Sequence, residues 1–278
     1  MRHWIAWSIQ TVAALALMVA CGRTGAQAQG DEAELRKKAQ NPIANLYTVP
    51  IETTFGFGAA DGDATFIQLQ PVIPIDAGPI LIVSRTILPL IDAPGGLTGQ
   101  PGNPEPVAGS REFGIGDITQ SFLLSPRDAG PVIWGAGPAI VFPSASADVL
   151  GSGKWSMGPT AVALTQPAPW SLGVLVGNVW SFAGDSDRES VNQLLLQPFV
   201  SYNLPEGWFL TTAPMITANW RASSDNAWVV PVGGGGGKFF TLFSQPMNVM
   251  LQSFYNAERP RGAPDWTLRF TLQLLFPR

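Results

Sequence analysis

From Leu46 to the end of the chain, hydrophobic and polar residues alternate with a period of two. The last segment shows this alternation most clearly. Its apolar positions are Trp266, Leu268, Phe270, Leu272, Leu274 and Phe276, and its polar positions are Thr267, Arg269, Thr271 and Gln273. Because successive side chains of a β-strand point to opposite sides of the sheet, one face of this segment is apolar and the other polar. The pattern predicts a strand that separates an apolar phase from water.

Segments of this kind recur along the chain. Each is long enough for a tilted strand to cross a bilayer, which takes about 9–11 residues, and longer than the five or six residues that strands in soluble sheets average. The twelve segments are residues 46–56, 64–74, 80–91, 114–125, 132–142, 155–166, 170–182, 191–202, 208–219, 228–241, 247–257 and 266–276. They predict an all-β fold, a transmembrane antiparallel up-and-down β-barrel of about 12 strands over residues 46–278, with a short N-terminal helix.

The connections between these segments alternate in length. The short ones are residues 76–78, 125–130, 167–169, 204–207 and 244–246. The longer ones are residues 58–63, 92–113, 143–154, 184–190, 220–227 and 259–265. Short periplasmic turns and longer extracellular loops are typical of outer-membrane barrels. Closure of the sheet is expected because an open edge in hydrocarbon would leave backbone groups unpaired, at several kcal/mol each.

The N-terminus has the features of an export signal. Arg2 supplies a positive charge, Thr11–Ala20 is apolar, and Ala26-Gln27-Ala28 offers a cleavage site after Ala28. Residues 1–28 are therefore predicted to be a signal peptide, and the expected location is the bacterial cell outer membrane. A second route remains open, because residues 18–22 resemble a lipobox in which Cys21 would be acylated.

A helix is predicted between the signal and the first strand. Asp31 can cap its N-terminus, Glu34 follows three residues later, and Asn41-Pro42 ends it. Residues 29–45 are thus predicted to form a short periplasmic helix or plug segment. The sequence leaves open whether the helix at residues 31–40 fills the lumen.

Composition argues against catalysis and metal binding. Only 13% of residues are charged, against about 25% in soluble domains. The one cysteine, Cys21, and the one histidine, His3, both lie in the predicted signal, so a histidine-assisted nucleophile and a His or Cys metal site are not expected. Asp185, Asp187 and Glu189 lack the frame of a calcium loop. We predict no enzyme, no cofactor and, from the acidic balance, no nucleic-acid partner.

Four charged residues fall inside predicted strands, namely Arg85, Asp117, Lys238 and Arg269. A lipid-facing Arg or Lys costs about 2–4 kcal/mol at the bilayer midplane, so these side chains are expected to face the lumen. Uncharged polar side chains should line the same surface: Gln68, Gln70, Gln197, Asn219, Gln252 and Gln273. Two interpretations stand side by side, a pore lining that sets selectivity or holds the plug, and a paired network that fills a narrow barrel.

Gly233–Gly237 followed by Lys238 resembles a phosphate-binding loop, but the pattern fails. A P-loop needs a first glycine where Val232 stands and a hydroxyl residue where Phe239 stands. The run is instead predicted to be a glycine-rich strand that another group approaches closely.

Six stretches resemble a family of bacterial outer-membrane transporter β-barrels related to the meta-pathway phenol-degradation proteins, whose members are sometimes mislabelled neuromedin U. They are residues 33–46, 113–126, 178–184, 214–220, 228–238 and 271–277. The resemblance implies a barrel and uptake of small solutes, including aromatic or apolar ones, without a defined substrate site. One departure is that Phe276 is followed by Pro277-Arg278, where such barrels end on the aromatic residue that the assembly machinery recognises.

The function predicted is a monomeric outer-membrane channel or transporter for small, including hydrophobic or aromatic, solutes. Its expected partners are outer-membrane lipid, the β-barrel assembly machinery and the solute itself. Two alternatives remain. One is a closed structural or adhesive barrel whose extracellular loops bind a partner, and the other is a soluble periplasmic lipid-binding β-protein.

Overall fold

The computed structural model describes residues 26–96 and 109–277. In these residues one α-helix, α1 (Ala26–Ala39), precedes fifteen strands. The strands are β1 (Tyr47–Phe57), β2 (Ala64–Leu69), β3 (Val72–Ala77), β4 (Ile80–Ala93), β5 (Glu112–Ile115), β6 (Ile118–Pro126), β7 (Ile133–Phe142), β8 (Lys154–Thr165), β9 (Trp170–Gly184), β10 (Asn192–Asn203), β11 (Trp208–Thr212), β12 (Ile216–Asn219), β13 (Trp228–Leu242), β14 (Gln245–Glu258) and β15 (Trp266–Phe276). Short 3₁₀ turns cover Asp148–Leu150, Pro205–Gly207 and Ser224–Asn226.

The strands form one closed antiparallel barrel. β1 pairs with β15 along its whole length, from Tyr47 opposite Phe276 to Phe57 opposite Trp266. The remaining pairings, such as that of β9 with β10, join crossings of the barrel that follow one another in the chain. β2 with β3, β5 with β6, and β11 with β12 are each one crossing that is interrupted, so the barrel has twelve strands. The predicted fold class is confirmed, and closure leaves no sheet edge unpaired.

Three crossings are interrupted where the backbone cannot continue the ladder. Pro71 and Pro214, which have no N–H to donate, stand in two of the breaks. The third break contains Gly116, whose N–H donates to the Pro89 carbonyl over 3.0 Å. The twelve predicted segments had no such breaks, because alternation of residue type shows where a strand lies and not where its pairing is irregular.

The two ends of the barrel differ in their connections. The end with the short connections near residues 78, 127, 166, 205 and 243 is called the turn end, and the opposite end the loop end. Tryptophans with exposed side chains occur at both ends of the outer surface: Trp170 and Trp208 at the turn end, and Trp155, Trp220 and Trp266 at the loop end. Aromatic girdles of this kind mark the two interfaces of a membrane.

Alternation along β15 shows which face is outside. Arg269, Thr271 and Gln273 are buried within the barrel, whereas Trp266 and Phe276 are exposed outside it. None of the helices among the described residues is long and apolar enough to cross a membrane.

Helix α1 begins earlier than the predicted residues 31–40 and ends one residue before Gln40. Its part from Leu35 onward belongs to the same compact unit as the barrel. The side chain of Asn41 accepts a hydrogen bond from the Ile43 N–H over 2.9 Å and turns the chain after the helix. Residues 1–25 of the predicted signal lie outside the described residues, and Ala26–Ala28 fall in α1.

Candidate functional site

Residues 40–46, here called the plug, occupy the lumen at the turn end. Ile43 is 2% exposed and packs on one side of the barrel wall. Its neighbours in that cluster are Leu81, Val83, Leu123, Val162, Leu164 and Leu175. Ala44 and Leu46 pack on the other side, against Phe209, Phe239 and Leu275. The plug therefore fills the lumen with apolar side chains, and Leu35 and Ala39 at the end of helix α1 pack against the same cluster.

Polar contacts fix the plug and the end of helix α1 before it to the turns of the barrel. The Gln40 side chain donates to Asn203 Oδ1 over 3.0 Å and accepts from the Ser171 hydroxyl over 2.8 Å. The Arg36 guanidinium donates to the Leu204 carbonyl over 3.1 Å, and Gln166 donates to the Lys37 carbonyl over 2.9 Å. These bonds join residues far apart in the sequence, so the plug position depends on a folded barrel.

A cavity of about 220 Å³ lies in the lumen and is bounded on one side by the plug. Its apolar lining includes Leu46, Val72, Leu175, Phe199, Phe209 and Phe239. Its uncharged polar lining includes Gln70, Gln197, Ser201, Thr211, Asn248, Gln252, Thr271 and Gln273. Among the lining residues the charged ones are Glu52, Arg85 and Arg269, so the wall carries two guanidinium groups and one carboxylate.

Arg269 extends across the inner wall of the barrel. Its Nε lies 3.5 Å from Glu52 Oε1, and its Nη1 donates to the Ala213 carbonyl over 3.0 Å. Its guanidinium carbon is 5.1 Å from the centre of the Phe254 ring. Because β13 and β14 lie between β15 and the β11–β12 break that holds Ala213, this side chain crosses the inner faces of two strands. Arg269 thus ties distant strands together above the cavity.

The glycine run of β13 lies along this crossing and is in close contact with the backbone of β14. Gly233, Gly235 and Gly237 alternate on the inner face, and a Cβ at any of them would collide with carbonyl oxygens of β14. The Gln252 side chain also crosses β13, where its Nε2 lies 3.4 Å from the Thr211 carbonyl that accepts its hydrogen bond. The close approach predicted from the glycine run is therefore present, because carbonyl oxygens of β14 lie against the glycines and the Gln252 side chain crosses their strand.

Arg85 has a different environment. Its Nη2 donates to Gln70 Oε1 over 2.5 Å, and the Gln70 amide donates in turn to Gln68 Oε1 over 3.0 Å. Among the described residues no carboxylate lies within 4.0 Å of the Arg85 guanidinium. Its hydrogen-bond partner is therefore a neutral amide, and the Glu52 carboxylate acts on it from a longer distance than on Arg269.

Three buried polar atoms of the cavity wall have no hydrogen-bond partner among the described residues. They are Arg269 Nε, Thr271 Oγ1 and Asn248 Oδ1. Each belongs to a residue that is 6% exposed or less. A buried polar atom left unpaired costs about 1–3 kcal/mol, so these atoms favour occupation of the cavity by water or a polar solute.

The loop end is narrowed by residues 143–153, here called the inner loop. Its residues Val149 and Leu150 are buried against Ala64, Ile91 and Ala93 on the inside of β2 and β4. The inner loop follows β7 and turns into the barrel mouth rather than away from it. It is thus a second element that fills the lumen, at the end opposite the plug.

Asp117 holds the inner loop in place. Its Oδ2 accepts hydrogen bonds from the Ser152 N–H and hydroxyl, both over 2.7 Å, and its Oδ1 accepts from the Ala145 N–H over 3.2 Å. Arg188 from the next loop donates to the Gly151 carbonyl and lies 3.8 Å from Asp148. Backbone and side chain together therefore fix the inner loop at both of its ends.

A third contact steadies the base of the long loop after β4. Arg111 donates to both carboxylate oxygens of Asp92, over 2.7 and 2.9 Å, and to the Asp63 carbonyl over 3.0 Å. The hydrogen bonds to Asp92 raise the pKa of the Arg111 guanidinium further above its ordinary value. Arg111 accordingly stays charged and joins three segments at the loop end.

The lumen candidates named from the sequence lie in several places. Those that line the cavity are Gln70, Arg85, Gln197, Gln252, Arg269 and Gln273. Gln68 accepts from Gln70 beside the cavity. Asn219 lies nearer the loop end, opposite Gln193, and its Oδ1 accepts from the Arg221 N–H. Asp117 is bonded to the inner loop rather than to the charges of the cavity.

Lys238 requires a correction. The sequence analysis placed it in the lumen, but in the register its neighbours are Trp208 and Val249, and its Nζ lies 4.8 Å from the centre of the Trp208 ring. Trp208 is exposed on the outside, and Phe239, the next residue, takes the inner position. A lysine near the turn end can reach the membrane interface with its ammonium group, which removes the cost assumed for a midplane charge.

Sequence reasoning missed Glu52, the carboxylate of the cavity. The signal was present, because Glu52 alternates with Ile51 and Thr53 and shares its face with Thr48 and Pro50.

Sequence reasoning also missed a polar group on the outer surface, where Thr86 donates to Gln120 Oε1 over 2.6 Å and Gln120 donates to Ser84 over 3.0 Å. Mutual hydrogen bonding lets these side chains lie on an otherwise apolar face.

Comparison with known proteins supports the fold. No family model and no curated protein sequence matches the chain. Among solved structures, the COG4313 outer membrane channel from Pseudomonas putida F1 is similar with a TM-score of 0.61 at 13% identity, over 84% of this chain and 96% of that one. A bacterial polysaccharide outer membrane secretin gives a TM-score of 0.34 at 11% identity, over 84% and 99% of the two chains. The chain therefore shares the twelve-stranded barrel fold of the COG4313 outer membrane channel.

Proposed function

We propose that this chain is an outer-membrane channel that lets small solutes, including hydrophobic and aromatic ones, cross the membrane through its lumen. The observation that carries the proposal is the cavity of about 220 Å³ inside a closed barrel, with polar and apolar groups on its wall. A barrel that served only as a scaffold would gain stability by filling such a space. Buried polar atoms without partners favour a lumen that admits water or solute.

The apolar wall supports passage of hydrophobic and aromatic molecules. Phe209 and Phe239 face the cavity with their ring centres 5.0 Å apart, and Phe199 stands on the neighbouring strand β10. Rings of this kind offer contact area to a ring or a short chain. A solute of this class also agrees with the resemblance of the sequence to transporters related to phenol degradation.

Passage requires both obstructing elements to yield. The plug is held to the turns by few polar contacts, those of Gln40, Arg36 and the Lys37 carbonyl. The inner loop is held by Asp117 and Arg188. Neither element contributes a strand to the barrel, so each can shift while the closed sheet stays intact. The apolar outer surface would lie in outer-membrane lipid, with insertion by the β-barrel assembly machinery after removal of residues 1–28.

The test is reconstitution of the exported chain into liposomes. Swelling rates in a series of neutral solutes of increasing size are expected to exceed those of protein-free liposomes for small solutes only, because the cavity is narrow. Planar bilayers should show discrete conductance steps in salt. Absence of both swelling and conductance, from protein that shifts on unheated gels as a folded barrel does, would contradict the proposal.

The alternative of a closed structural or adhesive barrel has one observation in its favour. Both ends of the lumen hold buried apolar residues, Ile43 in the plug and Leu150 in the inner loop. Such a barrel predicts no solute flux, together with binding of a partner at the loop end. The liposome experiment therefore separates the two functions directly.

A further inference from the structure

We infer that the lumenal cavity is a binding site for a small monocarboxylate with an apolar body, such as an aromatic or short aliphatic acid. The inference rests on the proposed channel function and names the class of solute that the channel would favour. It stands on the arrangement of charge and apolar surface in the cavity.

The charges on the wall do not balance. Glu52 lies beside Arg269, at 3.5 Å, and these two form the ion pair of the cavity. Arg85 donates to the neutral Gln70 side chain and interacts with the Glu52 carboxylate only from beyond 4.0 Å, so the two guanidinium groups share one carboxylate. A guanidinium carries five N–H donors, and among the described residues one hydrogen bond from Arg85 to a side chain is observed. A carboxylate pairs with such a group through charge-assisted and often bidentate bonds.

Apolar and charged groups come from opposite parts of the barrel. Glu52, Arg85 and Arg269 stand on β1, β4 and β15, which are close together in the strand order. The three phenylalanines of the lining stand on β10, β11 and β13, which lie across the lumen from Arg85 on β4 but close to Arg269, because only β14 separates β13 from β15. A molecule that spans the cavity therefore meets the Arg85 guanidinium at one end and aromatic rings at the other, and an apolar acid matches both.

The unpaired atoms add a second, independent observation. The Thr271 hydroxyl can donate to a ligand oxygen. It belongs to a residue that is at least nine-tenths buried and lines the cavity. Arg269 Nε faces the Glu52 carboxylate instead, and Asn248 Oδ1 is an acceptor that suits water or a hydroxyl group. Among the described residues the cavity wall thus holds a buried hydroxyl donor that no protein group occupies.

Size restricts the ligand further. Sites for drug-sized molecules measure about 300–1,000 Å³, and this cavity measures about 220 Å³. One ring with a carboxylate, or a short-chain acid, fits within that limit. A larger acid would require the plug to move.

Three probes that share one ring and differ in charge test the inference: benzoate, benzyl alcohol and benzylamine. Influx of each is measured into liposomes that contain the full exported chain, and the influx compared is the rate in excess of that into protein-free liposomes. Benzoate is expected to enter about tenfold faster than benzylamine, which is the effect of one nearby charge at an intermediate dielectric constant. In a salt gradient, the reversal potential should show preference for chloride over potassium.

Arg85→Gln should remove the preference for benzoate and bring the three influx rates close together. The matched control is Arg127→Gln, which removes an arginine that pairs with Asp76 at an exposed turn, outside the cavity; it should leave the preference unchanged. Binding of benzoate to the detergent-solubilised chain, measured by calorimetry, should weaken about tenfold in Arg85→Gln and be unaffected in the control.

The outcomes separate this inference from the channel proposal. Equal influx of the three probes through the wild-type chain would overturn the carboxylate site and leave the channel standing. Absence of influx for all three, with no conductance, would overturn both. An unchanged benzoate preference in Arg85→Gln, in protein that still migrates as a folded barrel, would also contradict the site.

Discussion

At the scale of single residues, the inner wall of the barrel depends on glycine positions as well as on the polar side chains that cross them. Arg269 reaches the Ala213 carbonyl because β13 carries glycines where its path crosses. Gln252 reaches Thr211 in the same way. The five consecutive glycines, Gly233–Gly237, are therefore part of the geometry of the lumen and not a sign of nucleotide binding.

A prediction for this run is that Gly235→Ala destabilises the barrel by about 1–3 kcal/mol, the usual cost of overpacking. A Cβ at this position would collide with the Leu251 carbonyl oxygen, which is backbone and cannot turn aside. Urea unfolding in lipid vesicles, followed by tryptophan fluorescence, measures the change in the free energy of unfolding.

The control is Gly56→Ala, where the nearest atom to the new Cβ is a side-chain carbon of Pro264 at 3.1 Å. This neighbour belongs to a loop and can yield by a few tenths of an ångström. Gly56→Ala is therefore expected to change stability less than Gly235→Ala. Equal stability of the two variants would contradict the account of the glycine run.

At the scale of elements, the sequence determined strands well and loops poorly. The alternation of Thr267, Arg269 and Thr271 with apolar residues predicted both the strand β15 and its inner face. The reason is that the outer face must be apolar toward lipid, whereas the inner face can be polar toward the lumen. Alternation did not predict the orientation of Lys238. Near a membrane interface an outward-facing lysine is tolerated, so the position of the residue along the strand matters as much as its face. The alternating pattern does not show that position.

The inner loop shows why the rest could not be predicted. Its residues Val149 and Leu150 are two apolar residues in a connection of otherwise polar and small residues, which is too weak a signal. Their burial depends on Ala64 and Ile91, which precede the inner loop by many residues. The role of Asp117 likewise depends on Ser152, a contact that exists only in three dimensions.

For this element, Asp117→Ala is predicted to release the inner loop. The substitution removes three hydrogen bonds to a carboxylate, and hydrogen bonds to a charged group contribute about 1.5–3 kcal/mol each. We expect faster proteolytic cleavage within residues 143–153 in intact liposomes and larger fluctuations of the single-channel current.

Asp148→Ala serves as the control in the same loop. Its carboxylate is 93% exposed and lies 3.8 Å from Arg188, so it contributes little to holding the loop. Cleavage and current fluctuations should match the wild-type chain. If Asp117→Ala behaves like Asp148→Ala, then Asp117 does not hold the inner loop.

At the scale of the whole molecule, a rigid sheet surrounds two elements that are not strands. β1 and β15 pair along their full length, and this closure does not involve the plug or the inner loop. The closed sheet therefore forms without the plug and the inner loop, and on the proposed channel function these two elements would determine which solutes cross. A substitution can therefore change the obstruction of the lumen without changing the sheet, because the two are formed by different parts of the chain.

The last prediction tests this separation at the plug. Ile43→Asp places a charge where the wild-type side chain is 2% exposed among inward-facing apolar residues of strands β4, β6, β8 and β9. An unpaired charge in such a site costs several kcal/mol, so the plug should leave the lumen, and conductance and solute cutoff should rise together. The barrel should still migrate as a folded species before heating, because the pairing of β1 with β15 is untouched. Gln166→Ala removes two polar contacts, to the Lys37 carbonyl and the Ser171 hydroxyl, but leaves the apolar packing of Ile43 in place. It should therefore raise conductance far less than Ile43→Asp does. Unaltered conductance in a folded Ile43→Asp protein would show that residues 40–46 do not obstruct the path.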